Sequence, residues 1–101
     1  MKKKLVKIYL SEEARYKGKL LYHAIVIKLK ELKVAGVTVL RGIEGYGPEN
    51  IMRASNLVDL SASLPIIIEI VEDEEKIESI IPILKEMVTK GLIIIVDAEV
   101  V

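Results

Sequence analysis

The 101-residue chain contains no cysteine, no tryptophan and no phenylalanine, and aromatic residues make up only 4% of it. The absence of cysteine excludes a disulfide framework, a thiolate zinc site and a cysteine nucleophile. Hydrophobic residues still account for 51% of the chain, so its core has to be built from isoleucine, leucine and valine. A chain of this length predicts one domain over residues 1–101, with a single hydrophobic core.

The chain also has no excess of charge of either sign, because Lys and Arg together number 15 and Asp and Glu together number 15. This balance argues against a nucleic-acid partner held by bulk electrostatics. No apolar run approaches the ~20 residues of a membrane span. The basic N-terminus MKKKLVKIYL lacks the apolar core and the cleavage site of a signal peptide. We therefore expect a cytoplasmic protein without membrane insertion. Abundant Ile, Lys and Glu without Gln or Cys is typical of a thermophile.

Hydrophobic periodicity divides the chain into strands and helices. It predicts a strand over 3–10, a helix over 20–34 that Gly36 ends, and a strand over 37–44. A long loop over about 48–63 follows, and loops of that length are usually functional or mobile. A strand over 66–71, a helix from the N-cap Asp73 to about Lys90, and a last strand from Leu92 complete the chain.

The element order βαββαβ predicts the fold. Right-handed crossovers lead to a ferredoxin-like α+β sandwich, with an antiparallel sheet and two helices on one face. The predicted strands are apolar on both sides of the pleat, and such strands need cover on both faces. Because no further helix is available, we expect another copy of the chain to cover the second face.

The most informative stretch is GVTVLRGIEGYG, residues 36–47, where a strand runs into three glycines. Glycines at 42, 45 and 47 can form a bulge or tight turn, or can let the backbone approach a ligand or a subunit. The sequence leaves three interpretations of Arg41 open. It is a solvated strand residue, a partner in an inter-subunit ion pair, or a phosphate ligand at the rim of this segment. Of the nearby cations it is the first candidate for phosphate.

The chain resembles the PII signalling proteins and their PII-like relatives, over nearly its whole length. Three stretches carry the resemblance: Gly36-Val37-Thr38-Val39 with Gly45-Tyr46-Gly47, where PII proteins end a strand in Gly-Phe-Gly; Pro65 through Glu69-Ile70-Val71, similar to their third strand; and Lys90-Gly91 before the last strand. The run VLRGIEGYG, with KGKLLYHAIV before it, is most similar to a PII-like branch of mostly unassigned function.

This resemblance implies a non-enzymatic homotrimer that binds ADP or ATP between subunits and requires no other cofactor. It implies that the loop after the second strand contacts an effector, such as a transporter or an enzyme. Together with Arg41 and Gly42 of the glycine segment, the nucleotide-binding residues would be Gly45, Tyr46, Gly47, Val71, Lys90 and Gly91. Lys90-Gly91 is equally an ordinary helix C-terminus, where a cation complements the helix dipole.

The chain also departs from the PII pattern. Pro48 stands where PII proteins carry a phosphate-binding arginine, so Arg41 or Arg53 would have to replace it. The loop lacks the tyrosine that some PII proteins have uridylylated, and the C-terminal arginines are missing. The alternative is a CutA-like trimer that binds metal or acts as a scaffold. The single histidine, His23, and the missing cysteines weigh against a metal site.

Overall fold

The computed structural model describes residues 1–48, 53–54 and 63–101, with only the backbone of 53–54. Most of the loop predicted over 48–63 lies outside the described residues, as does the side chain of Arg53. The elements in chain order are β1 (Lys2–Ser11), β2 (Arg15–Tyr16), β3 (Lys19–Leu20), α1 (Leu21–Glu31), β4 (Val37–Arg41), β5 (Glu44–Gly45), β6 (Arg53–Ala54), β7 (Pro65–Glu72), α2 (Glu74–Met87) and β8 (Leu92–Glu99).

The four long strands form one antiparallel sheet in the order β4-β7-β1-β8, and both helices pack on the same face of it. This arrangement confirms the predicted ferredoxin-like α+β sandwich. Two short ribbons lie apart from the sheet: β2 pairs with β3, and β5 pairs with β6.

The core lies between the helices and one face of the sheet, and it is entirely aliphatic. The period of two in the strands and of 3.6 in the helices turns these residues toward each other. Its buried members are Val6, Ile8 and Leu10 of β1, Ile66, Ile68 and Ile70 of β7, Leu21, Ile25 and Leu29 of α1, and Ile77, Ile80, Leu84 and Met87 of α2.

Helix α1 ends earlier than predicted, at Glu31, and Gly36 does not end it. Lys33 takes the left-handed conformation, with φ of 61°. The N–H of Lys33 donates to the carbonyl of Lys30, and the N–H of Val34 donates to the carbonyl of Leu29, both over 3.0 Å. These two bonds form a Schellman motif, which is usually closed by glycine. A lysine in that position gives no sequence signal.

Asp73 precedes α2 as predicted, but its side chain makes no capping hydrogen bond. Its carboxylate instead accepts a hydrogen bond from Lys3 Nζ, over 2.5 Å. The helix ends at Met87 rather than near Lys90, and the backbone N–H of Val88 donates to the carbonyl of Leu84. Gly91 therefore lies beyond the helix end, as the last residue of the turn before β8.

The face of the sheet away from the helices is apolar and is not covered by any described part of the chain. The strand registers place these residues on it: Leu5 and Tyr9 of β1, Leu40 of β4, Ile67 and Val71 of β7, and Leu92, Ile94 and Val96 of β8. One charged pair, Lys7 with Glu69 at 3.6 Å, lies among them. The apolar second face expected from the sequence is therefore present.

Candidate functional site

The glycine segment and Lys90-Gly91 lie at the same end of the sheet but at its opposite edges. Arg41 of β4 is opposite Ile66, Ile66 is opposite Leu10, and Gly91 directly precedes the residue opposite Tyr9. Three strand spacings of about 4.8 Å separate the two edges, which is roughly 14 Å. One chain therefore does not bring Arg41 and Gly91 together.

Val71 lies away from both of these groups. It is opposite Leu5 and is five residues along β7 from Ile66, which at ~3.4 Å per residue is roughly 17 Å. Its side chain lies on the open face of the sheet. The structure does not place Val71 with the other predicted nucleotide-binding residues.

Arg41 is held by a bidentate ion pair with Glu12, the residue that follows β1. Its Nε donates to Glu12 Oε2 over 2.7 Å, and its Nη2 donates to Glu12 Oε1 over 2.9 Å. The two side chains are 52% and 26% exposed, respectively. This two-bond geometry is the one in which a guanidinium also binds phosphate.

Glu12 is the important residue that the sequence did not single out. Its backbone N–H donates to the carbonyl of Leu64 over 3.0 Å, and the N–H of Leu64 donates back to Glu12 Oε1 over 3.2 Å. The hydrogen bond from Arg41 lowers the pKa of the Glu12 carboxyl, and the bond from Leu64 adds to this against the effect of burial. The same ion pair raises the pKa of Arg41, with a small contribution from Tyr22.

Replacing Glu12 with Gln should make the stability advantage of the native chain depend on pH. The folded-state pKa of Glu12 lies below its ordinary value of 4.5, so its contribution is present above that pH and is lost as pH falls through the folded-state pKa. Urea unfolding near pH 7 should show the native chain as the more stable protein, by a modest margin because Arg41 is half exposed. The margin should shrink near pH 3, and an equal margin at both pH values would contradict the assignment.

Gly42 continues the pairing of β4 with β7 past the end of the strand. Its N–H donates to the carbonyl of Pro65 over 2.7 Å, and a Cβ at this position would lie 2.7 Å from Pro65 Cγ. The glycine is therefore required for close packing here, whatever else it contacts.

The rest of the glycine segment contributes to the short β5–β6 ribbon and to the residues that directly follow β5. Gly45 pairs with Arg53 in the β5–β6 ribbon. Tyr46 is 69% exposed, and a Cβ at Gly47 would meet nothing within 4 Å. Open backbone and an exposed aromatic ring thus follow Arg41 closely along the chain. Backbone N–H groups in such turns can bind anions.

Gly91 also has a packing role, at the other edge of the sheet. A Cβ there would lie 2.7 Å from the carbonyl oxygen of Tyr9 and 2.9 Å from Val88 Cγ1. Gly91 further lines a depression of about 300 Å³, whose other walls are Ile81, Lys85, Val88, Ile93 and Ile95. The depression is mostly apolar and has a single cation at its rim.

Replacing Gly91 with Ala should destabilise the protein by about 1–3 kcal/mol, because the added methyl group overlaps a backbone oxygen of β1 that cannot easily move. Gly36 provides a matched control, since a Cβ there would meet nothing within 4 Å. Thermal unfolding of both variants tests this: Gly91→Ala should lower the melting temperature, and Gly36→Ala should not lower it. Equal melting temperatures would show that the turn relaxes around the methyl group.

The described residues also bear on two other functions, metal binding and membrane insertion. Within 1–48 and 63–101, no three His, Cys, Asp or Glu residues lie where they would hold a metal ion. None of the helices in these ranges has the length and apolar character needed to cross a membrane. His23, the single histidine, is exposed on α1.

A family profile matches residues 3–100, and its family is DUF190, described as "Uncharacterized ACR, COG1993". The chain belongs to the DUF190 family. A UPF0166 protein of Aquifex aeolicus is 39% identical over 101 residues, covering 100% of this chain and 95% of the relative. A UPF0166 protein of Methanocaldococcus jannaschii is 42% identical over 101 residues, covering 99% of this chain and 93% of the relative.

Solved structures place this DUF190 chain in the PII-like fold. A structure from Thermus thermophilus, described as a PII-like signaling protein, has a TM-score of 0.70 at 22% identity and covers 99% of this chain and 90% of its own. CPII from Thiomonas intermedia K12, solved with ADP and bicarbonate, has a TM-score of 0.65 at 20% identity. The match covers 99% of this chain and 89% of the CPII chain. The predicted resemblance to PII-like signalling proteins is confirmed. At these identities the likeness establishes the fold.

Proposed function

We propose that this DUF190 protein is a PII-like regulator that binds an adenine nucleotide, ADP or ATP, in clefts between neighbouring copies of a trimer. One observation carries the proposal: the predicted phosphate-binding groups lie at the same end of the sheet but on opposite edges. A ligand that contacts Arg41 and Lys90-Gly91 together has to take them from two different chains.

The arrangement of the two edges favours a ring over a two-fold dimer that joins sheets edge to edge. Across a two-fold axis an edge meets its own copy, so that dimer would pair β4 with β4 or β8 with β8. Contact between unlike edges is heterologous, and repeated contacts of this kind close into rings. The open apolar face supports the same assembly, because three sheets that face inward would bury it.

Each proposed contact has a definite chemical role. The guanidinium of Arg41 would bind a phosphate through two parallel N–H groups. Backbone N–H groups near Gly45 and Gly47 would bind the same anion, and Lys90 from the neighbouring chain would add a point charge. The apolar depression beside Gly91 offers a wall for the adenine base. CPII, which shares the fold, was solved with ADP bound.

The regulator would act without catalysis, in the cytoplasm and as a single domain over residues 1–101. Its output would pass through the loop over 48–63, which begins directly after the glycine segment. A nucleotide can change the state of that loop only if it binds one loop state more tightly than the other. The target would be a transporter or an enzyme that senses the change.

Titration calorimetry with ADP and with ATP tests this function. We expect saturable binding to the native chain, and Arg41→Ala should weaken it at least about tenfold, because a charge-assisted bidentate contact is lost. Arg15→Ala is the control for the loss of one arginine, since Arg15 lies at an exposed position on β2. Absence of binding at millimolar nucleotide would refute the proposal, and equal loss in both variants would refute the role of Arg41.

A further inference from the structure

Arg41, the main phosphate candidate, already binds an anion. Both carboxylate oxygens of Glu12 are engaged by its Nε and Nη2, at 2.7 and 2.9 Å. A ligand phosphate that binds the same two N–H groups has to remove this carboxylate first. The site is therefore one in which two anions compete for one guanidinium.

Glu12 is fixed by the backbone around it and is not a loosely held surface acid. Its carboxylate accepts a hydrogen bond from the N–H of Leu64, whose side chain is buried at 3% exposure. Its own N–H donates to the carbonyl of Leu64, while the N–H of Gly42 donates to the carbonyl of Pro65. Glu12 thus joins the end of β1, the end of β4 and the residue before β7.

The geometry points to Glu12 as a tethered competitor that the ligand phosphate displaces from Arg41, which makes the site selective for polyphosphates over singly charged anions. This inference rests on the proposed function, because it uses Arg41 as the phosphate contact. A tethered group competes at an effective concentration of about millimolar or higher. A singly charged anion gains no charge over Glu12 on exchange, whereas a di- or triphosphate brings additional negative charge to Arg41.

The exchange has a local consequence at Leu64. Glu12 Oε1 accepts from both Arg41 Nη2 and the N–H of Leu64, so a carboxylate that turns away from Arg41 also weakens the Leu64 bond. The backbone bond from Glu12 N–H to the Leu64 carbonyl remains. Arg41 is half exposed, so this step requires no unfolding of the sheet. Nucleotide binding therefore becomes visible as a change at a single amide in the described chain.

The first test compares ADP binding to the native chain, to Glu12→Gln and to Glu78→Gln. Gln keeps the size of the side chain and removes its charge, so Glu12→Gln should bind ADP roughly tenfold more tightly than the native chain. Glu78 is exposed in the first half of α2, which begins at the end of the sheet away from Arg41, so Glu78→Gln makes the same change in net charge and should bind like the native chain. Any anion that displaces Glu12 should gain by the same factor, because the cost of displacing the carboxylate does not depend on the ligand. Sodium acetate should not compete with ADP on the native chain at millimolar concentration.

The second test uses the native chain alone, so it does not depend on the folding of a variant. Hydrogen exchange of the Leu64 amide, followed by NMR, should become faster on addition of ADP. If ADP binds the native chain but Glu12→Gln binds no more tightly and Leu64 exchange is unchanged or slower, the competitor role is wrong and the proposed function stands. If neither the native chain nor Glu12→Gln binds ADP, both are wrong.

Discussion

Replacing Ile68 with Ala should lower the free energy of unfolding by about 2–5 kcal/mol, the range observed for large-to-small changes at buried aliphatic positions. Ile68 is 0% exposed, on the helix-facing side of the central strand β7. Its register partners are Ile8 on one side and Val39 on the other. The lost methyl groups leave a cavity between sheet and helices, and the buried residues of the core include no aromatic side chain that could fill it.

Ile67→Ala is the matched control for this prediction. It makes the same change one residue earlier on the same strand, but its side chain points to the open face. In urea unfolding at low protein concentration, where copies of the chain are apart, Ile67→Ala should cost less than Ile68→Ala. If another copy of the chain covers the open face, the free energy of unfolding lost in Ile67→Ala should rise with protein concentration. Equal costs at every concentration would contradict the two-faced description of the sheet.

Replacing Val96 with Lys should dissociate the proposed trimer. Val96 lies on the open face of β8 at the end of the sheet away from Arg41, so the change does not touch the proposed nucleotide contacts. A lysine there would place an unpaired charge in a subunit interface, at a cost of several kcal/mol per chain. Light scattering should give the mass of three chains for the native protein and of one chain for the variant.

Ile27→Lys is a closely matched control for Val96→Lys. Ile27 is 43% exposed and Val96 is 44% exposed in one chain, but Ile27 lies on α1, on the opposite side of the molecule. The control should keep the mass of three chains. A monomeric native protein, or loss of assembly in both variants, would show that the open face is not the interface.

The fold could be predicted from the sequence because each signal was local and periodic. The alternation in β1 and β7 and the 3.6-residue spacing in α1 and α2 agree with the buried residues of the structure. Helix ends were less accurate. Lys33 closes α1 with a conformation usually found in glycine, and Asp73 bonds to Lys3 rather than to the helix backbone. Neither of these two features can be predicted from a residue pattern.

The sequence predicted only part of the candidate site, and the reason differs from that for the helix ends. The glycines next to Arg41 follow one another along the chain, so they form a motif. Glu12 is 29 residues from Arg41, and only the strand registers bring them together. Gly42 and Gly91 each lie very close to another backbone or to a proline ring. A glycine motif in the sequence looks the same whether the glycine is needed for such packing or for contact with a ligand.

The turn between β2 and β3 illustrates the same limit. Lys17 and Gly18 both have positive φ, at 50° and 80°, as in a type I′ hairpin turn. Asn or Asp usually precedes the glycine in such turns, and here a lysine does. The sequence therefore predicted no element between residues 10 and 20, where the structure has a short hairpin.

Mixing two variants tests the central claim most directly, because it asks whether one nucleotide site is built from two chains. Arg41→Ala and Lys90→Ala should each bind ADP weakly as pure proteins. After unfolding and refolding together, about a quarter of the sites should take an intact Arg41 from one chain and an intact Lys90 from its neighbour, by random assembly of heterologous contacts. We predict that titration of the mixture with ADP recovers native affinity in that fraction. A mixture that binds no better than the two separate variants would contradict the account.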